Sequence, residues 1–202
     1  MNKAENNEKN VVDDLLASAK ENFLKYGYEK AALRQICADA GVTTGALYFS
    51  FKNKEALFEE LVTPTIENLE AVLEKLNVLV VEQDLNHFDG ESFDEDIFRF
   101  LIENREGMRL LLTRAGGSYY KDFFRKAHEL VEDLMLLFAR DIAAVDVDSE
   151  VVRILANMFF KGIEELFVRD YDQARMESIA GGLRVCMEQG FKAMLEQQKV
   201  QG

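Results

Sequence analysis

The sequence is poor in residues that stop helices or cross-link small folds, since its 202 residues include one proline and two cysteines. A single proline leaves room for long helices, because proline is poorly tolerated inside them. Cys37 and Cys186 are too few for a disulfide framework, and both fit small buried side chains in a reducing cytoplasm better than redox sensors. No apolar run approaches the about 18 residues of a membrane span, and the polar start lacks the apolar region of a secretory signal. The sequence therefore predicts a cytoplasmic helical protein.

Signatures of catalysis are also absent from the sequence. The chain has no glycine-rich loop for phosphates or dinucleotides and no nucleophile elbow. Its two histidines cannot supply a di-iron bundle, which needs a Glu-x-x-His motif on each of two helices; the nearest match is a single Asp84-x-x-His87 in a predicted loop. His128 fits a packed or surface histidine better than a ligand. We therefore expect no metal site, no cofactor and no enzymatic activity.

The net charge of −13 is distributed unevenly. Residues 1–60 carry 8 basic and 10 acidic side chains, whereas the window from Lys20 to Lys54 carries 6 basic and 3 acidic ones. Phosphate contact depends on local charge, so this distribution permits DNA binding near the N-terminus without indicating it. DNA would repel the acidic remainder of the chain.

Apolar residues recur at helical spacing, and no period-two alternation is long enough for a sheet, which predicts an all-α protein of about nine helices. Pro64 lies inside the predicted fourth helix and indicates a kink, either a hinge or a static bend. Met1–Asn10 is expected to be a frayed tail, and Glu82–Ser92 a loop. The predicted helices are Val11–Tyr26, Ala32–Ala40, Thr44–Ser50, Asn53–Val81, Phe93–Glu103, Glu106–Ala115, Tyr119–Ala144, Glu150–Arg169 and Asp172–Gln198.

The stretch from Ala40 to Lys54 reads as a turn followed by a short helix without acidic residues. Gly41 suits the left-handed position after a helix, and Thr43 suits the N-cap of the next one. The small residues Thr44–Ala46 leave the helix N-terminus open to an anionic surface. This pattern predicts a helix-turn-helix whose second helix enters the DNA major groove; the alternative is an ordinary helical hairpin that exposes Tyr48 and Phe49.

A set of fixed spacings around this stretch is shared with a known family. The motif residues are Gly27-Tyr28, Leu33-x-x-Ile36-Cys37-x-x-Ala40-Gly41-Val42-Thr43 and Gly45-x-Leu47-Tyr48-x-x-Phe51-x-x-Lys54-Glu55. They resemble the DNA-binding domain of tetracycline-repressor-like (TetR family) transcriptional regulators over about residues 9–69, with the motif itself at 32–51. The family usually has a Thr or Ser pair where Ala31 and Ala32 stand, and alanine has no hydroxyl group to contact a phosphate or to cap the second helix there.

The resemblance implies which residues bind DNA. Tyr48 and Lys54 would bind phosphate, Thr44 and Ala46 would lie near base edges, and Gly45 would let the backbone approach the duplex. Two positions stay open: Arg34 is a phosphate contact or a solvated arginine, and Phe49 meets a thymine methyl or packs on the first helix. The predicted DNA-binding residues are Arg34, Thr43, Thr44, Gly45, Ala46, Tyr48, Phe49, Lys52 and Lys54.

Residues 70–202 are expected to form a helical ligand-binding and dimerisation domain. Its many aromatic residues form a core or line an apolar ligand cavity, and the sequence does not say which of them would line it. The last two helices carry apolar and small residues at helical spacing, which predicts a four-helix dimer interface unless these faces pack inside one chain. The predicted interface residues are Val152, Leu155, Ala156, Phe159, Ile163, Phe167, Gly182, Cys186, Gly190 and Ala193.

The sequence thus predicts a homodimeric transcriptional regulator. We expect a repressor that binds a palindromic DNA operator and releases it when a small apolar molecule binds the C-terminal domain. The alternative is a helical ligand-binding or protein-interaction module without DNA affinity.

Overall fold

The computed structural model describes residues 3–82, 90–142, 144 and 146–201. Within these residues the protein consists of nine α-helices without a β-strand, which confirms the all-α fold class. The helices are α1 (Lys3–Lys30), α2 (Leu33–Asp39), α3 (Thr44–Ser50), α4 (Lys54–Glu82), α5 (Gly90–Glu103), α6 (Arg105–Arg109), α7 (Arg125–Leu137), α8 (Ser149–Val168) and α9 (Gln173–Gln201).

The N-terminal helices lie close to their predicted positions. α3 has the predicted bounds, and α1 is interrupted at Gly27, whose φ of 79° and ψ of 162° are not helical. α1 begins at Lys3 rather than Val11, because the segment in between is rich in good helix formers and has neither glycine nor proline. α4 continues through Pro64, so a hinge there remains a prediction.

The middle of the chain differs most from the prediction. The expected helix from Tyr119 to Ala144 is replaced by a 3₁₀ turn at Tyr119–Asp122, then α7, then a π-helical turn at Phe138–Ile142. A second π-helical turn, Leu110–Arg114, follows α6. α5 begins inside the predicted loop, and Asp84 and His87 lie outside the described residues.

The chain divides into two compact units, and the division falls within α4. The first unit comprises Met1–Glu67 and Glu106–Asp122; the second comprises Asn68–Arg105 and Phe123–Gly202. The first unit therefore includes a segment from beyond residue 69, and the functional domain bounds 9–69 and 70–202 remain a prediction. The fully buried side chains in the core of the first unit include Leu15, Phe23, Ile36, Leu47 and Phe58.

The core of the second unit corrects the predicted dimer interface on α8. Val152 and Ala156 are fully buried against Met135 of α7, and Ile163 and Phe167 are also buried. A side chain that is buried in its own chain cannot contact a second one, so these four residues are core and not interface. Leu155 and Phe159 are half-buried.

Other residues of α8 and α9 do face outward. On α8 the exposed apolar side chains Val151, Ile154 and Met158 are spaced as one helical stripe, and Val168 is exposed at the end of the helix. On α9 the predicted interface residues are exposed: Gly182, Cys186, Gly190 and Ala193. Cys186 is thus not part of the core of its own chain, whereas Cys37 is buried as predicted. Among the described residues, no helix is both long and apolar enough to cross a bilayer.

Candidate nucleic-acid interface

The turn between α2 and α3 is fixed by backbone hydrogen bonds. Gly41 has a φ of 67°, and its N–H donates to the carbonyl of Ala38 at 3.2 Å. The N–H of Val42 donates to the carbonyl of Cys37 at 2.9 Å. These two bonds form a Schellman motif, which ends a helix in a left-handed residue. The predicted position of Gly41 is confirmed, because a side chain there would be strained.

The start of α3 is capped but open to the outside. Thr43 is extended, and its Oγ1 accepts a hydrogen bond from the N–H of Ala46 at 3.2 Å, as predicted for an N-cap. Thr44 and Gly45 are exposed. A Cβ added at Gly45 would meet only Thr43 Oγ1, at an ordinary 3.7 Å. Packing inside the protein therefore does not require a glycine here, and the helix start is accessible to an external partner.

The middle of α3 points one apolar side chain inward and two aromatic ones outward. Leu47 is fully buried, whereas Tyr48 is 60% and Phe49 79% exposed. The sequence left two contacts open for Phe49, a thymine methyl group or the first helix. This exposure excludes packing of Phe49 on α1. Both aromatic rings are available to a partner that approaches α3.

Two basic residues flank α3 without partners. Arg34 on α2 and Lys52 in the turn after α3 are exposed. Neither has an ion pair or a hydrogen bond to any described residue. Unpaired cations of this kind can neutralise phosphates at little desolvation cost.

Lys54 has a different environment from that expected. Its Nζ donates to three backbone carbonyls, those of Tyr28 at 2.8 Å, Glu29 at 3.2 Å and Ala31 at 3.2 Å. Burial lowers the pKa of Lys54, while the nearby carboxylates of Glu29 and Glu55 act in the opposite direction. An ammonium group has three donors, so all of them are used within the protein. Without DNA the ammonium group of Lys54 is thus satisfied inside the protein, and its phosphate contact remains a prediction.

Polar side chains inside the first unit fix α2 against α1. Ser18 Oγ donates to the carbonyl of Ile36 at 2.8 Å, and Asn22 Nδ2 donates to Asp39 Oδ2 at 2.9 Å. Hydrogen bonds from Asn22 and Gln35 lower the pKa of Asp39. The sequence analysis missed Ser18 and Asn22, although both are polar residues within the apolar stripe of α1, a pattern that signals buried hydrogen bonds.

Carboxylates of α4 bind Glu106–Asp122, the later segment of the first unit. Glu55 Oε2 accepts from the Tyr28 hydroxyl at 2.5 Å, and Glu55 Oε1 accepts from the N–H of Tyr119 at 3.0 Å. Glu59 accepts from the Tyr120 hydroxyl at 3.3 Å. Burial, together with these carboxylates, raises the pKa of Tyr28 and of Tyr120 to about 12. Sequence spacing offered no signal for these long-range contacts.

The Schellman turn, the capped short helix and its open N-terminus are the features of a helix-turn-helix, the motif of a large class of DNA-binding proteins. Comparisons with known proteins agree with this class. Residues 15–61 match the family model described as bacterial regulatory proteins, tetR family. The chain is 32% identical over 171 residues to the HTH-type transcriptional repressor Rv1474c of Mycobacterium tuberculosis, a match that covers 82% of this chain and 86% of that protein. The chain belongs to the tetR family of bacterial regulatory proteins, and it is a transcriptional regulator and not an enzyme.

Solved structures show the same fold. A gamma-butyrolactone receptor (ArpA-like protein) superimposes with a TM-score of 0.61 at 19% identity, covering 95% of this chain and 98% of the other. NalD, the secondary repressor of the MexAB-OprM multidrug efflux pump in Pseudomonas aeruginosa, superimposes with a TM-score of 0.58 at 24% identity, covering 92% and 97%. At these identities the similarity establishes the fold alone.

Proposed function

We propose that this regulator is a homodimeric repressor that binds a palindromic operator through α3 and releases it when a small apolar molecule binds the second unit. The observation that carries the DNA-binding part is the open start of α3, where a glycine without an internal packing role stands beside exposed aromatic and unpaired basic side chains. The repressor name of the relative at 32% identity favours repression. A two-fold dimer favours an operator with matching symmetry.

Each exposed residue of this surface has a chemical role in the proposal. Arg34, Lys52 and the Tyr48 hydroxyl bind phosphates, which sets affinity and its salt dependence. Thr43, Thr44, Gly45 and Ala46 lie at the helix start, where small side chains let the backbone come close to base edges. Phe49 contacts a thymine methyl group.

The proposed effector site lies in the second unit. His128 on α7 has a buried Nε2 without a hydrogen-bond partner among the described residues, and its ring lies 4.7 Å from that of Phe160 on α8. Phe160 contacts Phe159, which in turn contacts Phe98 on α5. A buried polar atom that lacks a partner within the protein can form a hydrogen bond with a bound molecule, either water or an effector. An apolar effector with one hydrogen-bonding group fits these side chains.

The proposal is tested by selecting bound duplexes from a random DNA pool at low salt, followed by binding measurements with and without candidate effectors. We expect enrichment of a palindrome. An effector that stabilises the protein should weaken its affinity for this palindrome by ~1–3 kcal/mol, the usual coupling free energy between two sites. Failure to enrich any duplex would refute DNA binding. Effectors that raise the melting temperature but leave DNA affinity unchanged would refute the proposed release.

A further inference from the structure

Three arginines lie close together around α6, in a chain whose net charge is −13. Residues 105–114 contain Arg105, Arg109 and Arg114 and a single carboxylate, Glu106, so three positive side chains stand against one negative, a net charge of +2. The carboxylate is engaged by α1, because Lys20 Nζ lies 2.8 Å from Glu106 Oε2. This short stretch is therefore locally basic, and its own carboxylate has another partner.

The π-helical turn after α6 brings two of these arginines to the same side. Arg109 ends α6, and Arg114 ends the turn Leu110–Arg114. A π-helix joins residue i to residue i+5, so Arg114 stands one turn beyond Arg109, whereas an α-helix would turn the two side chains about 140° apart. Leu110 and Leu111 are buried and anchor the turn. Single π-helical turns are frequent at functional sites, and the alignment of two cations gives this one a physical purpose.

The guanidinium group of Arg114 is partly removed from water without gaining a partner. Its Nε is buried and has no hydrogen-bond acceptor, and no described residue forms an ion pair with the side chain. The residue as a whole is only half-buried, so the group keeps a side that a molecule from outside can reach. A charged group that loses water and gains no acceptor costs free energy. An anion bound on the open side would offset this cost.

We propose that Arg114, with the positive charge of Arg109 beside it, binds the oxyanion of a small molecule, a carboxylate or a phosphate group. A guanidinium presents parallel N–H donors that match two oxygens of either group. The site belongs to the first unit, where a Cβ added at Gly27 of α1 would lie 3.9 Å from the carbonyl oxygen of Arg114. The proposed effector site belongs to the second unit, so this is a different site, and the inference does not rest on DNA binding.

The experiment measures thermal unfolding of the full-length wild type, Arg114→Gln and Arg105→Gln in sodium chloride, acetate and phosphate at equal ionic strength. Arg105 is the matched control, because it is exposed and has no partner among the described residues. In chloride, Arg114→Gln should melt at the wild-type temperature or above it, because the substitution removes an unpartnered cation. In acetate or phosphate, the wild type and Arg105→Gln should gain more stability than Arg114→Gln. In equilibrium dialysis with the labelled anion, Arg114→Gln should lower the affinity by about tenfold or more, the value of one hydrogen bond to a charged group.

The two anions separate the two chemistries, since a response to acetate alone indicates a carboxylate ligand and a response to phosphate alone a phosphorylated one. Equal gains in all three proteins, as expected from general exclusion of phosphate from protein surfaces, would overturn the inference, and so would a wild type that responds to neither anion. An Arg114→Gln variant that is strongly destabilised in chloride, or does not fold, would show that Arg114 has a partner within the chain and would overturn it too. If Arg114→Gln lowered the salt slope of operator binding by about 0.9, the anion would be a DNA phosphate, and the inference would be wrong.

Discussion

At the scale of single residues, Phe49 is a large apolar ring on a surface of small and polar side chains, with 79% of it exposed. Exposure of an apolar side chain of this size forgoes about 1.5–3 kcal/mol of burial free energy. A partner that covers the ring recovers this free energy. Contact with DNA therefore gives the exposed position of Phe49 a physical reason.

We predict that Phe49 reads a thymine methyl group. Replacing the contacted thymine of the operator with uracil, which lacks the methyl group, should weaken wild-type binding about fourfold. This factor corresponds to the burial free energy of one methyl group. Phe49→Ala should bind the two operators equally, and other thymines serve as controls. If Phe49→Ala distinguished them as well as the wild type does, another residue would read the methyl group.

The unpartnered Nε2 of His128 leads to a prediction about stability. Replacing a buried polar group that lacks a partner with an apolar one of similar shape is neutral or stabilising. His128→Phe should therefore leave the free energy of unfolding unchanged or raise it by up to about 1 kcal/mol in denaturant titration. The same substitution should lower the affinity for the effector. A loss of more than about 2 kcal/mol would mean that His128 has a hydrogen bond in the folded chain.

Single residues were predictable where a local backbone rule decides them. Gly41 and Thr43 follow from the requirements of a helix end and a helix start, and the structure confirms both. The contacts of Lys54 could not be predicted, because its three acceptors are main-chain atoms that lie 23–26 residues away and leave no trace in side-chain spacing.

At the scale of elements, α6 packs on α4 within the first unit at unusually short range. A Cβ added at Gly107 would overlap Thr65 Oγ1 and lie 2.8 Å from Thr65 Cβ, and Thr65 is buried. The two helices can approach this closely only because position 107 has no side chain. Gly107 thus allows the Glu106–Asp122 segment to pack closely on α4.

We predict that Gly107→Ala destabilises the protein by about 1–3 kcal/mol through overpacking. Gly116→Ala is the control, because a Cβ there would meet nothing within 4 Å. Thermal and denaturant unfolding of both variants measures the difference. Equal stability of the two variants would show that α6 can shift away from Thr65 without cost.

Helix bounds were predictable where capping chemistry is local, as in α3, and not where distant contacts decide them. The residues Tyr119 and Tyr120 have apolar spacing compatible with a long helix, but hydrogen bonds to Glu55 and Glu59 hold them in a separate 3₁₀ turn. Periodicity describes one segment at a time, so it cannot detect a bond between residues 64 positions apart.

At the scale of the whole molecule, the faces of α8 and α9 that remain exposed are the candidates for association. The predicted stripe on α8 is largely core, and the stripe of Val151, Ile154 and Met158 replaces it. On α9 a Cβ at Gly182 or Gly190 would meet nothing within 4 Å, so packing within the chain does not explain either glycine. Periodicity predicted an apolar α8 but could not say which side faces its own chain.

We predict that these faces form the homodimer. Met158→Asp should shift the protein toward monomer in analytical ultracentrifugation, because a charge would be buried in an apolar interface, and Gly182→Leu should do the same by keeping the helices apart. Met158→Leu is the matched control and should stay dimeric. If Met158→Asp is folded and dimeric, the interface lies elsewhere.

The most direct test of DNA binding through the start of α3 is the operator affinity of Gly45→Leu beside its thermal stability. Gly45 is exposed, a Cβ there makes only an ordinary contact, and leucine favours helix more than glycine does, so the melting temperature should be unchanged or higher. Because the side chain stands where the duplex would approach, affinity should fall by about tenfold or more, the size of at least one lost base contact. A stable Gly45→Leu variant that binds the operator as tightly as the wild type would contradict DNA binding through this surface.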